Sequence, residues 1–200
     1  MRTIVVATQN KGKVKEIKEM LSDLRVDIKT MGEIGIDIDI EENGQTFEEN
    51  AIIKAEAISK LTDAIVIADD SGLEIDYLNK EPGVYSARYL GKDTPYEEKN
   101  QIIIDRLKDV PKEKRTARFV CAMAMSEKGH PTITTQGVIE GYIGDHPEGS
   151  NGFGYDPIFF VDALGTSTAN ISAEEKNKIS HRGQAVKKIA EQIRRRIEGV

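Results

Sequence analysis

Short apolar runs alternate with amphipathic stretches from one end of the chain to the other, which predicts an α/β fold built on a mixed sheet. Thr3 to Ala7 is a run of β-formers. The polar turn Thr8 to Gly12 follows, and Lys13 to Leu21 then sets Val14, Ile17 and Leu21 on one helical face. Ile34 to Ile40 alternates isoleucine with glycine or aspartate, predicting a half-exposed strand that leads into Glu41, Glu42, Asn43 and Gly44. Thr46 and Glu49 have capping-box spacing, so a helix is expected there with Phe47, Ala51, Ala55 and Ile58 inward and with Asn50 and Lys54 on another face. Ala64 to Ala68 reads as a buried strand that stops at Asp69, Asp70, Ser71 and Gly72, after which Leu73 to Asp76 resumes strand character. Thr94 to Leu107 predicts a helix, and Thr116 to Met125 with Thr132 to Ile143 a hairpin-like pair of strands. Pro147 to Pro157 carries glycines and little periodicity, as a loop does. Ser172 with Glu175 makes a second capping box, and a final helix is expected from Gln184 with Ala185, Ile189 and Ile193 inward.

Length narrows this to one compact unit spanning residues 1–200, expected to be bilobed. No run is long enough to cross a membrane, and Thr3 to Ala7 is too short for the apolar region of a signal peptide, so a cytoplasmic protein is expected. The single cysteine, Cys121, excludes an intrachain disulfide, and no Cys/His spacing resembles a zinc site. A net charge of −6 argues against a protein that grips nucleic-acid backbones. A polyanionic substrate would therefore need local lysines and a cation. The basic run Arg194 to Arg196 fits either the helix dipole or an anionic partner.

Four segments could carry chemistry. Thr8, Gln9, Asn10, Lys11, Gly12 and Lys13 join a strand to a helix, where backbone amides, a small glycine and a lysine suit phosphate, although an ordinary capped turn looks the same and the spacing is not that of a Walker loop. The acidic residues Glu41, Glu42, Asp69 and Asp70 would repel one another unless compensated, and magnesium suits oxygen ligands shared with phosphates. The plainer reading of Asp69 to Gly72 is a turn. Phe153, Gly154, Tyr155, Asp156 and Pro157 could stack on a nucleobase and read its edge, or simply anchor a rigid loop. Lys176 with His181 and Arg182 supplies donors for keto oxygens, or a helix cap and packing.

In order along the chain, Thr8, Asn10 and Lys13, Glu49 to Ala51 with Lys54, Asp69 to Leu73, PGVYSAR (82–88), FGYDP (153–157) and SHRG (180–183) resemble the inosine triphosphate pyrophosphatase family. The resemblance runs from Thr3 to the last helix; Asn43 stands where many members carry threonine. It implies an elongated mixed twisted sheet flanked by helices, with two lobes around a central cleft, in a homodimer. It further implies hydrolysis of deaminated purine nucleoside triphosphates (ITP, dITP and XTP) to the monophosphate and pyrophosphate, with magnesium as cofactor. Thr8 to Lys13 and Lys54 would hold the triphosphate, and Asp70 would act at the metal, with Glu41 or Glu42, and as the base. Ser71 would contact substrate, Phe153 to Asp156 and Lys176 would surround the nucleoside, and His181 with Arg182 would read the base. A nucleotide-binding sensor without turnover, and a hydrolase for another nucleotide, are the competing readings.

Overall fold

A computed structural model describes residues 2–199. The elements run β1 (Arg2–Val6), α1 (Lys11–Met20), β2 (Val26–Thr30), α2 (Phe47–Ser59), β3 (Ile65–Ile75), α3 (Tyr96–Arg106), β4 (Thr116–Ser126), β5 (Ile133–Ile143), β6 (Phe159–Val161), β7 (Thr166–Ser167), α4 (Ala173–Ile179) and α5 (His181–Glu198). The seven strands form a mixed sheet in the order β2-β1-β3-β4-β5-β6-β7. β1 pairs in parallel with β2 and β3, as strands joined through helices must, while β6 pairs antiparallel with β5 and β7. Among the described residues no helix is long and apolar enough to cross a membrane.

The chain divides into two compact units, each made of discontinuous segments. The first takes the residues up to Asp70, Cys121–Gly137 and everything from His181 onward. Its core joins Ile4 and Val6 of β1, Ile65 and Ile67 of β3, and Cys121, Met123 and Met125 of β4 with Ile17 of α1, Leu21 at its C-terminal cap and Ala185, Val186, Ile189 and Ile193 of α5. The second takes Ser71–Val120 and Val138–Ser180. Leu73, Ile75, Ile103, Leu107, Phe119, Ile143, Tyr155 and Phe159 centre its core, with the Phe119 and Phe159 rings 4.4 Å apart.

Both expected capping boxes form. Thr46 Oγ1 accepts from the Glu49 amide and Ser172 Oγ from that of Glu175, while each glutamate accepts from its cap's backbone N–H in return, and such a cap is worth about 1 kcal/mol. Three expectations need correction. Ile34 to Ile40 is not a strand: Gly32–Ile34 is a short 3₁₀ turn closed by Gly35 at φ +75°, and the residues beyond it run irregularly. Val26–Thr30, where Val26 and Ile28 alternate with Asp27 and Lys29, is the strand beside β1, because a strand needs a partner as well as a pattern. β3 does not stop at Asp69 but continues to Ile75, so the paired aspartates lie inside a strand. The last helix begins at His181, three residues before Gln184, so that His181 and Arg182 belong to its first turn.

Candidate functional site

The junction of β1 and α1 is shaped by Asn10, whose extended backbone and side chain form an N-cap: Oδ1 accepts from the amides of Gly12 (3.0 Å) and Lys13 (3.2 Å). Thr8 Oγ1 in turn accepts from the Asn10 amide at 3.2 Å. The capped-turn reading therefore accounts for two of the amides that a phosphate was expected to meet. What this segment offers outward is the exposed Lys11; two residues on, Lys13 turns inward, its Nζ 3.3 Å from Asp69 Oδ2.

Asp69 and Asp70 are adjacent on β3, and neighbouring strand residues point to opposite faces, so each meets a different cation. Asp69 is wholly buried. Its Oδ2 takes Lys13, the Nε and Nη2 of Arg182 at 3.3 Å each, and the Cys121 thiol at 3.8 Å. Burial opposes its ionisation, yet Lys13, Arg182 and Lys54 together outweigh that and hold the carboxyl far below the usual carboxylate range. Arg182, equally buried, reaches Glu16 with Nη1 at 2.5 Å, so two acids and two bases form a neutral set, in which Asp69 Oδ1 has no hydrogen-bond partner among the described residues. Burial and Asp69 push the Cys121 thiol up, leaving it an inert core residue.

Asp70 has a poorer arrangement. Lys54 Nζ stands 3.3 Å from both Asp70 Oδ1 and Glu42 Oε1, so one lysine is shared by two carboxylates, with Asp69 also in its field. Burial, reinforced by Glu42 and Asp69, raises the Asp70 pKa against the pull of Lys54 and Lys13. The same carboxylates hold Lys54 protonated in spite of its burial. Both directions follow from a net negative cluster, and Asp70 Oδ2 is buried with no hydrogen-bond partner among the described residues. Asp70 Oδ2 and Glu42 are oxygen donors that a hard divalent cation could share with phosphate oxygens, while among the described residues no group of three or more acidic, histidine or cysteine side chains gathers to hold an ion alone.

Local structure delivers Glu42. Asn50 Oδ1 accepts from the Gly44 amide at 2.8 Å and Glu49 accepts from Gln45, tying the approach segment to the first turns of α2. A Cβ at residue 44 would strike Asn50 and Glu49, so only glycine permits this approach. Glu41, one residue earlier, is exposed, so the expected acidic pair is sorted into one member at Lys54 and one in solvent. Thr8, Gln9, Ile40, Glu42 and Lys54 line a pocket of about 110 Å³.

His181 and Arg182 start α5 against β5, where Gly137 lies so close to the His181 carbonyl and the Ala185 amide that no side chain fits. Arg182 thus has its guanidinium committed to Asp69 and Glu16, a bracing role that sequence reading did not foresee. Of the basic run at the end of α5, Arg196 pairs with Glu127 at 3.0 Å.

In the second unit, Ser71 follows Asp70 on β3 and is half-buried. The Phe153 to Pro157 loop is organised by Asp156, which accepts from the Phe153 amide (3.0 Å), Thr168 Oγ1 (2.8 Å) and Lys176 Nζ (2.6 Å). Lys176 Nζ also lies 4.9 Å from the centre of the Phe153 ring. Gly152, at φ +71°, passes so close to the Asp156 carboxylate that a side chain there would collide with it. Tyr155 is buried, its hydroxyl donating to the Ser86 carbonyl at 2.6 Å, and burial raises its pKa. The expected residues thus gather in two sets: Thr8 to Lys13, Glu42, Lys54, Asp70, His181 and Arg182 in the first unit, Ser71, Phe153 to Asp156 and Lys176 in the second. Glu16 and Thr168 join them without having been singled out, and Ser86 had been marked only as part of the PGVYSAR segment; Glu16 left a sequence signal in its i, i+3 spacing from Lys13.

The sequence pattern of the Ham1 family matches residues 4–192. A Bacillus licheniformis protein named dITP/XTP pyrophosphatase is 52% identical over 195 residues, covering 95% of this chain and 97% of its own. A Bacillus subtilis protein of the same name is 51% identical over 190 residues, with 95% and 96% covered. The solved structure of a HAM1 protein from Coxiella burnetii matches with a TM-score of 0.87 at 42% identity, covering 96% of this chain and 98% of that one.

Proposed function

Because this chain belongs to the Ham1 family, we propose that it hydrolyses deaminated purine nucleoside triphosphates (ITP, dITP and XTP) to the monophosphate and pyrophosphate. The observation that carries the reading is the cluster of Lys13, Lys54, Asp69, Asp70 and Glu42, on a chain about half identical to proteins named dITP/XTP pyrophosphatase. Water attacks the α-phosphorus, a new P–O bond forms, and the bond to the bridging oxygen of the β-phosphate breaks, releasing pyrophosphate. Catalysis of such a transfer is mostly positioning and charge neutralisation. Lys54 and Lys13 face the phosphate charge. Asp70, whose raised pKa brings it nearer to neutrality than an ordinary aspartate, accepts the proton of the attacking water, a contribution of about 10² to 10⁴ in rate.

The reading extends to magnesium, which Asp70 and Glu42 would hold and which, when bound, neutralises charge on the phosphate oxygens. Phe153, Lys176 and Asp156 would surround the nucleoside, and His181 would donate to its 6-oxo group. Adenine presents a donor there and leaves that buried donor unpaired, a penalty of about 1–3 kcal/mol. A homodimer belongs to the same proposal and is supported by the exposure of the large side chains of Tyr77, Tyr85 and Leu90. So does a cytoplasmic setting, supported by a lone unpaired cysteine.

Incubation with ITP, XTP, ATP and GTP, with and without magnesium, followed by chromatographic identification of products, tests the proposal. Inosine monophosphate and pyrophosphate, formed with magnesium and far faster than the products of ATP, are expected. Orthophosphate with the diphosphate would overturn the bond assignment, and tight binding without any product would replace the hydrolase by a sensor.

A further inference from the structure

Resting on that reading, we propose that Asn100 and Lys99 of α3 are positioning residues for nucleoside recognition, acting through the backbone of the 153–157 loop and the 82–88 segment. Both side chains are buried polar groups on a helix whose other buried positions are apolar: Lys99 is 1% exposed and Asn100 4%. Asn100 Nδ2 donates to the Gly154 carbonyl at 3.1 Å, while its Oδ1 has no hydrogen-bond partner among the described residues. Lys99 Nζ donates to the Ala87 carbonyl at 3.1 Å and lies 4.8 Å from the centre of the Tyr96 ring. Among the described residues no carboxylate pairs with it, and burial alone lowers its pKa.

A leucine and a methionine would fill this volume without a half-satisfied carboxamide or a buried ammonium lacking a counter-ion. What the polar pair supplies instead is direction. Gly154, at φ +65°, is free as a glycine to adopt other conformations, and Asn100 fixes the carbonyl of that very residue. Tyr96, one turn earlier on α3, packs edge-on against Tyr155 at 5.1 Å, and the Tyr155 hydroxyl bonds the Ser86 carbonyl next to Ala87. One face of α3 therefore grips two loops at consecutive points. Phe153, whose amide is bound by Asp156, is held between that anchor and the Gly154 carbonyl, so the tether fixes the direction in which its ring projects.

The test compares wild type with Asn100→Leu and Lys99→Met, variants that keep a similar side-chain skeleton and remove the tether. Calorimetry would measure binding of inosine monophosphate, which retains the nucleoside, and of pyrophosphate, which lacks it; ITP kinetics would be run alongside. The expected result for Asn100→Leu is inosine monophosphate binding weakened about fivefold, the weight of one hydrogen bond, with an equal rise in KM, unchanged kcat and unchanged pyrophosphate binding. Lys99→Met should move the same two quantities in the same direction. Equal weakening of both ligands would mean a merely structural role, and unchanged inosine monophosphate binding in both variants would equally overturn the inference. A wild-type protein that binds inosine monophosphate but turns over no nucleotide would instead sink the hydrolase reading, leaving the tether measurable.

Discussion

Replacing Asp69 by asparagine removes the one charge on which the buried Arg182 and the largely covered Lys13 converge. Lys13 and Arg182 each stand 3.3 Å from Asp69 Oδ2, and at an effective dielectric constant of about 20 each contact is worth on the order of 5 kcal/mol before desolvation is counted. Desolvation of the three groups cancels much of this. Removal of one partner from a buried pair nonetheless costs about 3–5 kcal/mol, because the remaining cations stay covered and Glu16 can answer only Arg182. That is a large share of a domain's total stability of about 5–15 kcal/mol. Urea unfolding of Asp69→Asn at neutral pH, with unchanged m-value, is the assay. The pH dependence supplies a second reading. The Asp69 pKa is depressed on folding, so its contribution is fully present above the unfolded value of about 3.9 and is lost as pH falls toward the folded value, at about 1.4 kcal/mol per pH unit. Wild-type stability should decline through that acid window more steeply than that of the variant. A loss below about 1 kcal/mol, the weight of a surface pair, would refute the account of a closed buried network.

Asp70 behaves oppositely. Its raised pKa means that the ionised form costs stability near neutrality, so Asp70→Asn should abolish turnover while the thermal midpoint holds or rises; a clear fall in midpoint would contradict the net negative cluster. Glu42→Gln should raise the magnesium concentration needed for half-maximal rate by about tenfold or more, whereas Glu41→Gln, at an exposed position, should leave it unchanged in a metal titration. Gly137→Ala forces a methyl into the His181 carbonyl and should destabilise by about 1–3 kcal/mol in chemical denaturation, since the start of α5 must shift.

Sequence by itself determined the local and periodic features. The capping boxes at Thr46 and Ser172, the helical faces of α1, α2 and α5, the long strands β4 and β5 and the mixed α/β class all rest on interactions within a few residues or on a repeating apolar face. The ordered motifs also sufficed to identify the family. Tertiary structure alone decided which alternating segment becomes a strand, because the place beside β1 went to Val26–Thr30 and Ile34 to Ile40 received no partner. It also decided the electrostatics. That Glu42 and not Glu41 meets Lys54, that Arg182 braces Asp69 from more than a hundred residues away, and that adjacent aspartates have opposite pKa shifts all depend on distances between remote segments. Charge pairing falls off with distance in space and is blind to separation along the chain, so no spacing rule could have revealed it.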